Sequence, residues 1–335
     1  MGGMIRDIDA MFHEQVSEQM SEQVIEQNGT QVAVVSPADP QRARDLARCG
    51  ANVREVVERA KTRFGGVLLR GFAPLGVAGF ERFAADFGKP LLDYEFGSTP
   101  RSRVEKGVYS STEYPADQWI DQHNEQSYTL RWPASILFYC DVAPQSRGAT
   151  PVADSRRVHA RLDAALRARF AAHGVMYVRN YGNGLDVPWE QVFGTQDHRE
   201  VERYCRANRI ECEWLDDGET LRTRQVCQSE ARHPVTGDRV WFNQAHLFHV
   251  SNLPPTVREA LLEVVDEDRL PRNTFFGDGT PIDPSMLDDI RAVYRDTMLC
   301  FPWQAGDTLV LDNMLMSHGR APFTGKRRVL VAMSA

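Results

Sequence analysis

The chain is poor in cysteine. Six are scattered through 335 residues, at positions 49, 140, 205, 212, 227 and 300. No Cys-x-x-Cys occurs, so neither a disulfide scaffold nor a zinc finger is indicated, and a reducing cytoplasm is the expected compartment. Basic charge is also short. There are 39 Lys and Arg against 46 Asp and Glu, a net charge of −7 with the cations dispersed. Nucleic acid is therefore not an expected partner. No apolar run approaches the ~20 residues of a membrane span, so no membrane partner is expected either. The opening Met1-Gly2-Gly3-Met4-Ile5-Arg6-Asp7 lacks the apolar core of a signal peptide. Internal repeats and linker-like stretches are missing too. What is present is a globular composition, 42% hydrophobic and 25% charged, with ample material for a core.

Glu-Gln recurs four times at four-residue spacing over 13–27, which puts Val16, Met20 and Val24 on one helical face, closed by Asn28-Gly29. Residues 1–30 are accordingly expected to be an N-terminal extension, helical or frayed. A helix is expected over 40–64, with Leu46, Val53, Val56, Val57 and Ala60 as its apolar positions. A buried strand follows over 67–72 and a second helix over 77–87. Residues 94–115 are rich in Ser, Thr, Gly and Pro and read as a long binding loop or lid. An apolar strand over 134–142, a turn at 147–150 and a helix over 155–173 come next. From about 155 to 300 helices and strands mix without a linker. The expectation is a mainly β protein with flanking helices, one domain over 31–335 with a large insertion at about 155–300.

The stretch from Ile120 to Tyr128 carries the chemistry. His123 and Glu125 are two residues apart among strand-suited neighbours (Trp119, Ile120, Tyr128, Leu130). On a strand, i and i+2 share a face, so an imidazole and a carboxylate would stand together. A third ligand must come from elsewhere, and His318 is the best candidate. Two His and one carboxylate with open positions opposite is the arrangement of non-haem Fe(II) oxygenases. The following strand opens with Arg327 and Arg328, either of which offers a guanidinium to the far carboxylate of a chelated 2-oxoacid. His246 and His249 are the rival ligands. On a helix their i, i+3 spacing would serve one zinc ion. A zinc protease helix carries a catalytic Glu between its histidines, and Leu247-Phe248 supplies none. His159, His173, His198 and His233 read as surface residues.

His-x-Glu, then Gly148-Ala149-Thr150, then a distal His followed by an Arg-Arg pair resembles the taurine-dioxygenase-like (TauD/TfdA) family of Fe(II)/2-oxoglutarate enzymes, over roughly residues 60–335. Within it the chain is similar to the branch of the syringomycin-pathway aspartyl hydroxylase, whose members work beside nonribosomal peptide assembly lines. The resemblance implies a double-stranded β-helix (jelly-roll, cupin-like) core. It implies iron on His123, Glu125 and His318, with 2-oxoglutarate held by Thr150 and Arg328 and dioxygen as co-substrate. Arg327 would then be a solvated neighbour. Where most relatives carry a second glycine, this chain has Arg147. In the taurine enzyme a sulfonate-binding arginine falls where Ala332 stands, so a sulfonate substrate is not implied. A carboxylate at 125 leaves no halide site, which disfavours halogenation. The implied substrate is an amino acid, free or tethered to a peptidyl carrier protein, in specialised metabolism.

Arg101 and Ser110 are candidate substrate contacts because the resemblance implies that their loop lies near the active site, and Arg222, Arg224 and Asn243 because polar residues in apolar strands often line a site. Internal structural pairing explains the last three equally well. Three other readings stay open: a zinc-dependent hydrolase using His246 and His249, a desaturase or cyclase of the same family, and a non-catalytic cupin-like binding protein.

Overall fold

The computed structural model describes residues 20–39, 46, 50–86, 90–92, 103–105, 107–111, 114–182 and 184–335. The chain begins with a hairpin of β1 (Met20–Gln27) and β2 (Thr30–Pro37). Next come α1 (Gly50–Phe64), β3 (Gly66–Leu69), α2 (Gly76–Ala85), β4 (Arg103–Glu105) and β5 (Val108–Ser110). β6 (Ile120–His123), β7 (Ser135–Val142), β8 (Ser146–Arg147) and β9 (Val152–Asp154) follow. The insertion then runs through α3 (Ser155–Arg161), α4 (Ala164–His173), β10 (Val175–Tyr181), α5 (Trp189–Phe193) and α6 (His198–Ala207). It continues with β11 (Glu211–Leu215), β12 (Thr220–Cys227), β13 (Glu230–Arg232), β14 (Arg239–Trp241), α7 (Ala245–Phe248), α8 (Pro255–Val264), β15 (Arg272–Phe276) and α9 (Pro284–Thr297). The chain closes on β16 (Thr308–Asp312), β17 (Met316–Arg320), β18 (Phe323–Thr324) and β19 (Arg328–Ser334).

Two sheets make the jelly roll. The larger has the order β1-β2-β3-β16-β7-β19-β5-β4, and the smaller, which carries the candidate ligands, is β6-β17-β9. β7 is buried over six successive residues, Ser135–Cys140, as a strand covered on both faces must be. On its outer face the larger sheet packs Leu137, Tyr139, Leu330 and Ala332 against α1 and α2, where Val53, Val56, Val57 and Ala60 form the helical stripe. On its inner face Phe138, Leu309, Val329 and Val331 meet Val152 and Met316 of the smaller sheet. The insertion has its own four-stranded sheet, β11-β12-β10-β15, and its own apolar cluster around Trp241, Phe170 and Phe276. No described helix is long and apolar enough to cross a membrane. The five described cysteines are free.

Three expectations fail here. Residues 94–115, read as one long loop, contain β4 and β5, which pair with each other and, through β5, with β19 at the edge of the larger sheet. Residues 20–27 form a strand, not the end of a leader helix, and the rest of that helix (13–19) lies outside the described residues. Asn28 and Gly29, at φ of 55° and 78°, are the two centre residues of a hairpin turn, with Gln27 paired to Thr30. Asn-Gly is the strongest short-range hairpin signal, and pairing with β2 outweighed the helical spacing of the Glu-Gln repeat. The helix expected over 155–173 is two helices, because Asp154 and Asp163 each cap a separate N-terminus.

Candidate metal centre

His123, Glu125 and His318 come together, with one ligand atom from each lying within 4.8 Å of the others. Each is brought there by a different local device. β6 and β17 pair His123 directly opposite His318, so the two rings stand 4.4 Å apart between centroids. Gly319 allows that approach: a Cβ there would lie 2.5 Å from the Ile120 carbonyl. The strand ends at His123, so Glu125 reaches the site from a turn rather than by strand alternation. Asn313 clamps that turn. Its Oδ1 accepts from the Glu125 N–H (2.7 Å) and its Nδ2 donates to the Glu125 carbonyl (2.9 Å). Glu125 Oε2 is 3.8 Å from His318 Nε2, and both side chains are buried.

The tautomer of His123 follows from its neighbour. Its Nδ1 lies 2.8 Å from the Asp121 carbonyl, which only accepts, so Nδ1 carries the proton and Nε2 keeps its lone pair for a metal. Behind the strand, Ser317 donates to Gln122 Oε1 (2.9 Å) and Gln122 Nε2 donates to the Pro151 carbonyl (2.9 Å), tying the three short strands together. Two imidazoles and a carboxylate, closely grouped and buried, fit a ferrous ion with open positions.

Beside the triad is a narrow pocket lined by His123, His318, Phe138, Thr150, Val331 and Arg327, with Ser111 and Arg320 also in its wall. The arginine in it is Arg327 and not Arg328. Arg327 donates from Nε to the Gly148 carbonyl (3.0 Å), and its Nη1 and Nη2 reach the hydroxyls of Ser111 and Thr150, each at 3.4 Å. Arg328 is half exposed and pairs with Asp141 at 3.2 Å. The reason is strand alternation. Arg328 shares its face with Leu330 and Ala332, which pack against the helices, whereas Val329 and Val331 face inward. Burial first, then Arg320, lowers the Arg327 pKa to about 10, so it remains a cation at neutral pH. Thr150 also accepts a hydrogen bond from Trp303 Nε1 (3.1 Å). Arg320 holds the carbonyls of Tyr114 (2.9 Å), Pro115 and Gln118 (3.1 Å), fixing the segment before β6.

The other sequence candidates lie elsewhere. Arg101 is outside the described residues. Ser110 lies in β5, and it is its neighbour Ser111 that enters the pocket wall. Arg222 donates to Asn180 Oδ1 (2.9 Å) and pairs with Asp268, and Arg224 pairs with Glu211 and Glu213. Asn243 is fully buried, donating to the Ser229 carbonyl and accepting from the Ala245 N–H. All three serve the insertion's own framework. His246 and His249 do not share a site: His246 Nε2 donates to the Gln122 carbonyl (2.9 Å), while His249 Nδ1 caps a turn at Ser251. Among the described residues the only grouping with metal-ligand geometry is His123, Glu125 and His318, so the zinc-hydrolase arrangement is not formed. Two histidines read as surface residues are buried, His159 against Glu230 (2.8 Å) and His233 against Asp312 (3.1 Å). Sequence reasoning missed Ser111, Trp303, Arg320 and the clamp at Asn313. Arg327, Ser111 and Arg320 had a signal, in standing one or two residues from the candidates Arg328, Ser110 and His318, whereas Asn313 and Trp303 had none.

Comparison with known proteins gives one consistent answer. The family model for the taurine catabolism dioxygenase TauD, TfdA family matches residues 35–333. A dapdiamide synthesis protein, DdaC, of Enterobacter agglomerans is 44% identical over 269 residues, 80% of this chain and 82% of the relative. A clavaminate synthase-like protein of Arabidopsis thaliana is 29% identical over 279 residues, covering 80% and 81%. PvcB from Pseudomonas aeruginosa superposes with a TM-score of 0.55 at 15% identity, over 94% of this chain and 91% of that one. A second structure of PvcB, described as an Fe, alpha-ketoglutarate dependent oxygenase from an isonitrile synthetic pathway, gives 0.54 at 14% over the same shares. The two PvcB likenesses show the fold.

Proposed function

Because the chain belongs to the TauD, TfdA family and is a 2-oxoglutarate-dependent non-haem iron dioxygenase, we propose that it hydroxylates an unactivated C–H bond of an amino acid or amino-acid derivative. The observation that carries the reading is one pocket holding both a two-His, one-carboxylate set and the buried Arg327–Thr150 pair. His123, Glu125 and His318 would hold the iron, with the protonated Nδ1 of His123 fixed on the Asp121 carbonyl. When bound, the iron supplies dioxygen activation coupled to oxidative decarboxylation of 2-oxoglutarate to succinate.

The chain's part is binding, orientation and exclusion of water. Arg327, with the hydroxyls of Thr150 and Ser111, offers a charged, fixed seat for the distal carboxylate of the diacid. Phe138 packs on His318 with ring centroids 5.0 Å apart, keeping that side of the ligand set dry. Ala332, where the taurine enzyme's sulfonate-binding arginine falls, packs on the outer face of the sheet, and the neighbouring residue that enters the pocket wall is the apolar Val331, which supports an apolar contact there rather than a sulfonate. The 44% identity to a dapdiamide synthesis protein supports a place in specialised metabolism. In this reading the substrate is a small molecule, presented free or on a peptidyl carrier protein.

The test supplies anaerobic protein with Fe(II), 2-oxoglutarate and a panel of free and carrier-tethered amino acids, then admits oxygen. Succinate and a gain of one oxygen in the amino acid are expected together, and His123→Ala or Glu125→Ala should abolish both. A loss of two hydrogens instead would identify a desaturase or cyclase. If no panel member raises succinate above background, the amino-acid assignment is wrong.

A further inference from the structure

Two cysteines meet in the insertion. Cys205 lies in the last turn of α6 and is fully buried, whereas Cys212, the second residue of β11, is partly exposed. The chain reverses between them through Asn208 and Arg209, and the Ile210 N–H donates to the Cys205 carbonyl (2.8 Å). Glu211 and Glu213 of β11 are exposed, so strand alternation turns Cys212 and Trp214 together toward the helix. Trp214 is seated on the first half of α6. It stacks on His198, with ring centroids 3.8 Å apart, and its Nε1 donates to Glu202 (3.1 Å). Two strand residues rise about 6.7 Å, and the five helical residues from midway between 198 and 202 to 205 rise about 7.5 Å. The register that seats Trp214 therefore brings Cys212 level with Cys205.

Both residues belong to the insertion's apolar cluster, and their thiols are within hydrogen-bonding reach of each other. The other described cysteines stand on other elements: Cys140 in β7, Cys227 at the end of β12 and Cys300 after α9. Burial first, then the neighbouring Cys212, pushes the Cys205 thiol up to about 12. Alone, a thiol so buried is an inert core residue. Cys212 is the sulfur that a reagent in solution meets, and Cys205 is the second sulfur waiting behind it.

We propose that Cys205 and Cys212 are a redox-active pair that closes a reversible disulfide by exchange with a small-molecule disulfide. The Cys212 thiolate attacks one sulfur of that disulfide, and the first small thiol leaves. Cys205 then attacks the Cys212 sulfur, and the second small thiolate leaves and takes the Cys205 proton. Two protein thiols are oxidised to one disulfide, and the small disulfide is reduced to two thiols. The bond ties α6 to β11 across 208–210. Those residues and Gln126 line a cleft of about 720 Å³, and Gln126 directly follows Glu125 of the candidate ligand set. Oxidation thus fixes one wall of the cleft beside the metal-binding turn. The pair is independent of how the metal pocket is read.

The test incubates the full-length protein, without added iron, with glutathione disulfide. Remaining thiols are blocked with N-ethylmaleimide in denaturant, and the protein is digested with trypsin. Cleavage after Arg206 and Arg209 separates the two cysteines, so the bond reads out as one linked pair of peptides, Tyr204–Arg206 with Ile210–Arg222. The wild type should give that pair, with a loss of two hydrogens per chain, and dithiothreitol should return both thiols. Cys205→Ala should instead keep glutathione on Cys212. Cys212→Ser, at a partly exposed position, should leave Cys205 free of glutathione. No linked pair in the wild type overturns the proposal. So does glutathione that persists on wild-type Cys212, or a Cys212 that bonds as readily to another cysteine as to Cys205.

Discussion

Arg327 and Arg328 carry the same guanidinium one residue apart, and the start of β19 sends them to opposite sides of the larger sheet. Arg327 is enclosed by the Gly148 carbonyl and the hydroxyls of Ser111 and Thr150. Arg328 has water and Asp141. Removing a buried charged partner costs roughly 2–5 kcal/mol, against about 0–1 for an exposed pair. Arg327→Gln is therefore expected to raise the KM for 2-oxoglutarate by about a hundredfold, with Arg328→Gln near the wild type. Succinate release against 2-oxoglutarate concentration checks both, and the opposite order would return the role to Arg328. His246 allows a second prediction. Burial holds it down at about 3, opposed by its bond to the Gln122 carbonyl and reinforced by Arg291 and His123, from an ordinary value of 6.5. The unfolded chain thus binds a proton that the folded chain refuses between those values. Stability should be full above about pH 6.5 and fall as the pH drops toward 3, by up to about 1.4 kcal/mol per pH unit for this group. His249, held at about 4, adds to the same limb. His246→Gln should make that acid limb shallower by about one proton in urea melts at pH 4 to 7.

Among the elements, β2 joins what the N-terminal extension was expected to leave apart. It runs parallel to β3 and buries Val32, Ala33 and Val35. Through Thr30 Oγ1 it donates to the Thr297 carbonyl (2.6 Å) and accepts from the Asp154 N–H (3.1 Å). β1 lies at the sheet's outer edge with most of its residues exposed. Deleting residues 1–28 should thus cost a few degrees in Tm and leave a soluble protein. Deleting 1–37 strips the edge of β3 and should give aggregated chains, since a bare apolar edge strand recruits other copies. Size-exclusion profiles of the two truncations decide it. Equal behaviour would mean the hairpin is an appendage. The element that sequence reasoning misread here carried a readable turn signal, Asn28-Gly29, and was misassigned because the Glu-Gln spacing fits a helix equally well. The meeting of His123, Glu125 and His318 was legible for another reason: His-x-Glu and a distal histidine are defined by side-chain type, and bringing them together needs only that β6 and β17 pair. Choosing between Arg327 and Arg328 required knowing which face of β19 is inward, and the register shift between Arg328 and Val329 is not written in the local sequence. Arg222, Arg224 and Asn243 could not be sorted from sequence, because a polar residue satisfied by a distant partner looks the same as one awaiting a ligand.

For the molecule as a whole, the jelly roll and the insertion share the turn that carries Glu125. Gln244 Nε2 donates to the Asn124 carbonyl (2.7 Å), Gln228 Nε2 to that of Ser127 (2.8 Å) and Cys227 Sγ to that of Tyr128 (3.3 Å). Tyr128 itself packs between Tyr177 and Phe248 in the insertion's apolar cluster, with ring centroids 6.2 and 5.0 Å away. Val152 and Leu299 exchange backbone hydrogen bonds across the same boundary (3.0 and 2.7 Å). Opening the insertion would take the Gln228 donor from the Ser127 carbonyl and one donor each from the Asn124 and Tyr128 carbonyls, at about 1–3 kcal/mol for a group left buried and unpaired. The two parts should therefore unfold as one unit. Fluorescence, restricted to Trp189, Trp214 and Trp241 of the insertion by replacing Trp119, Trp132 and Trp303 with Phe, and far-UV circular dichroism should trace a single coincident transition in urea. Mn(II), as an oxygen-stable substitute for iron at about 100 times its Kd, should add about 2.7 kcal/mol to both traces together. His123→Ala should remove that increment without separating the traces. Two transitions, with the metal moving only the one reported by the jelly roll, would show that the insertion is a separate domain and that the Glu125 turn is held by the jelly roll alone.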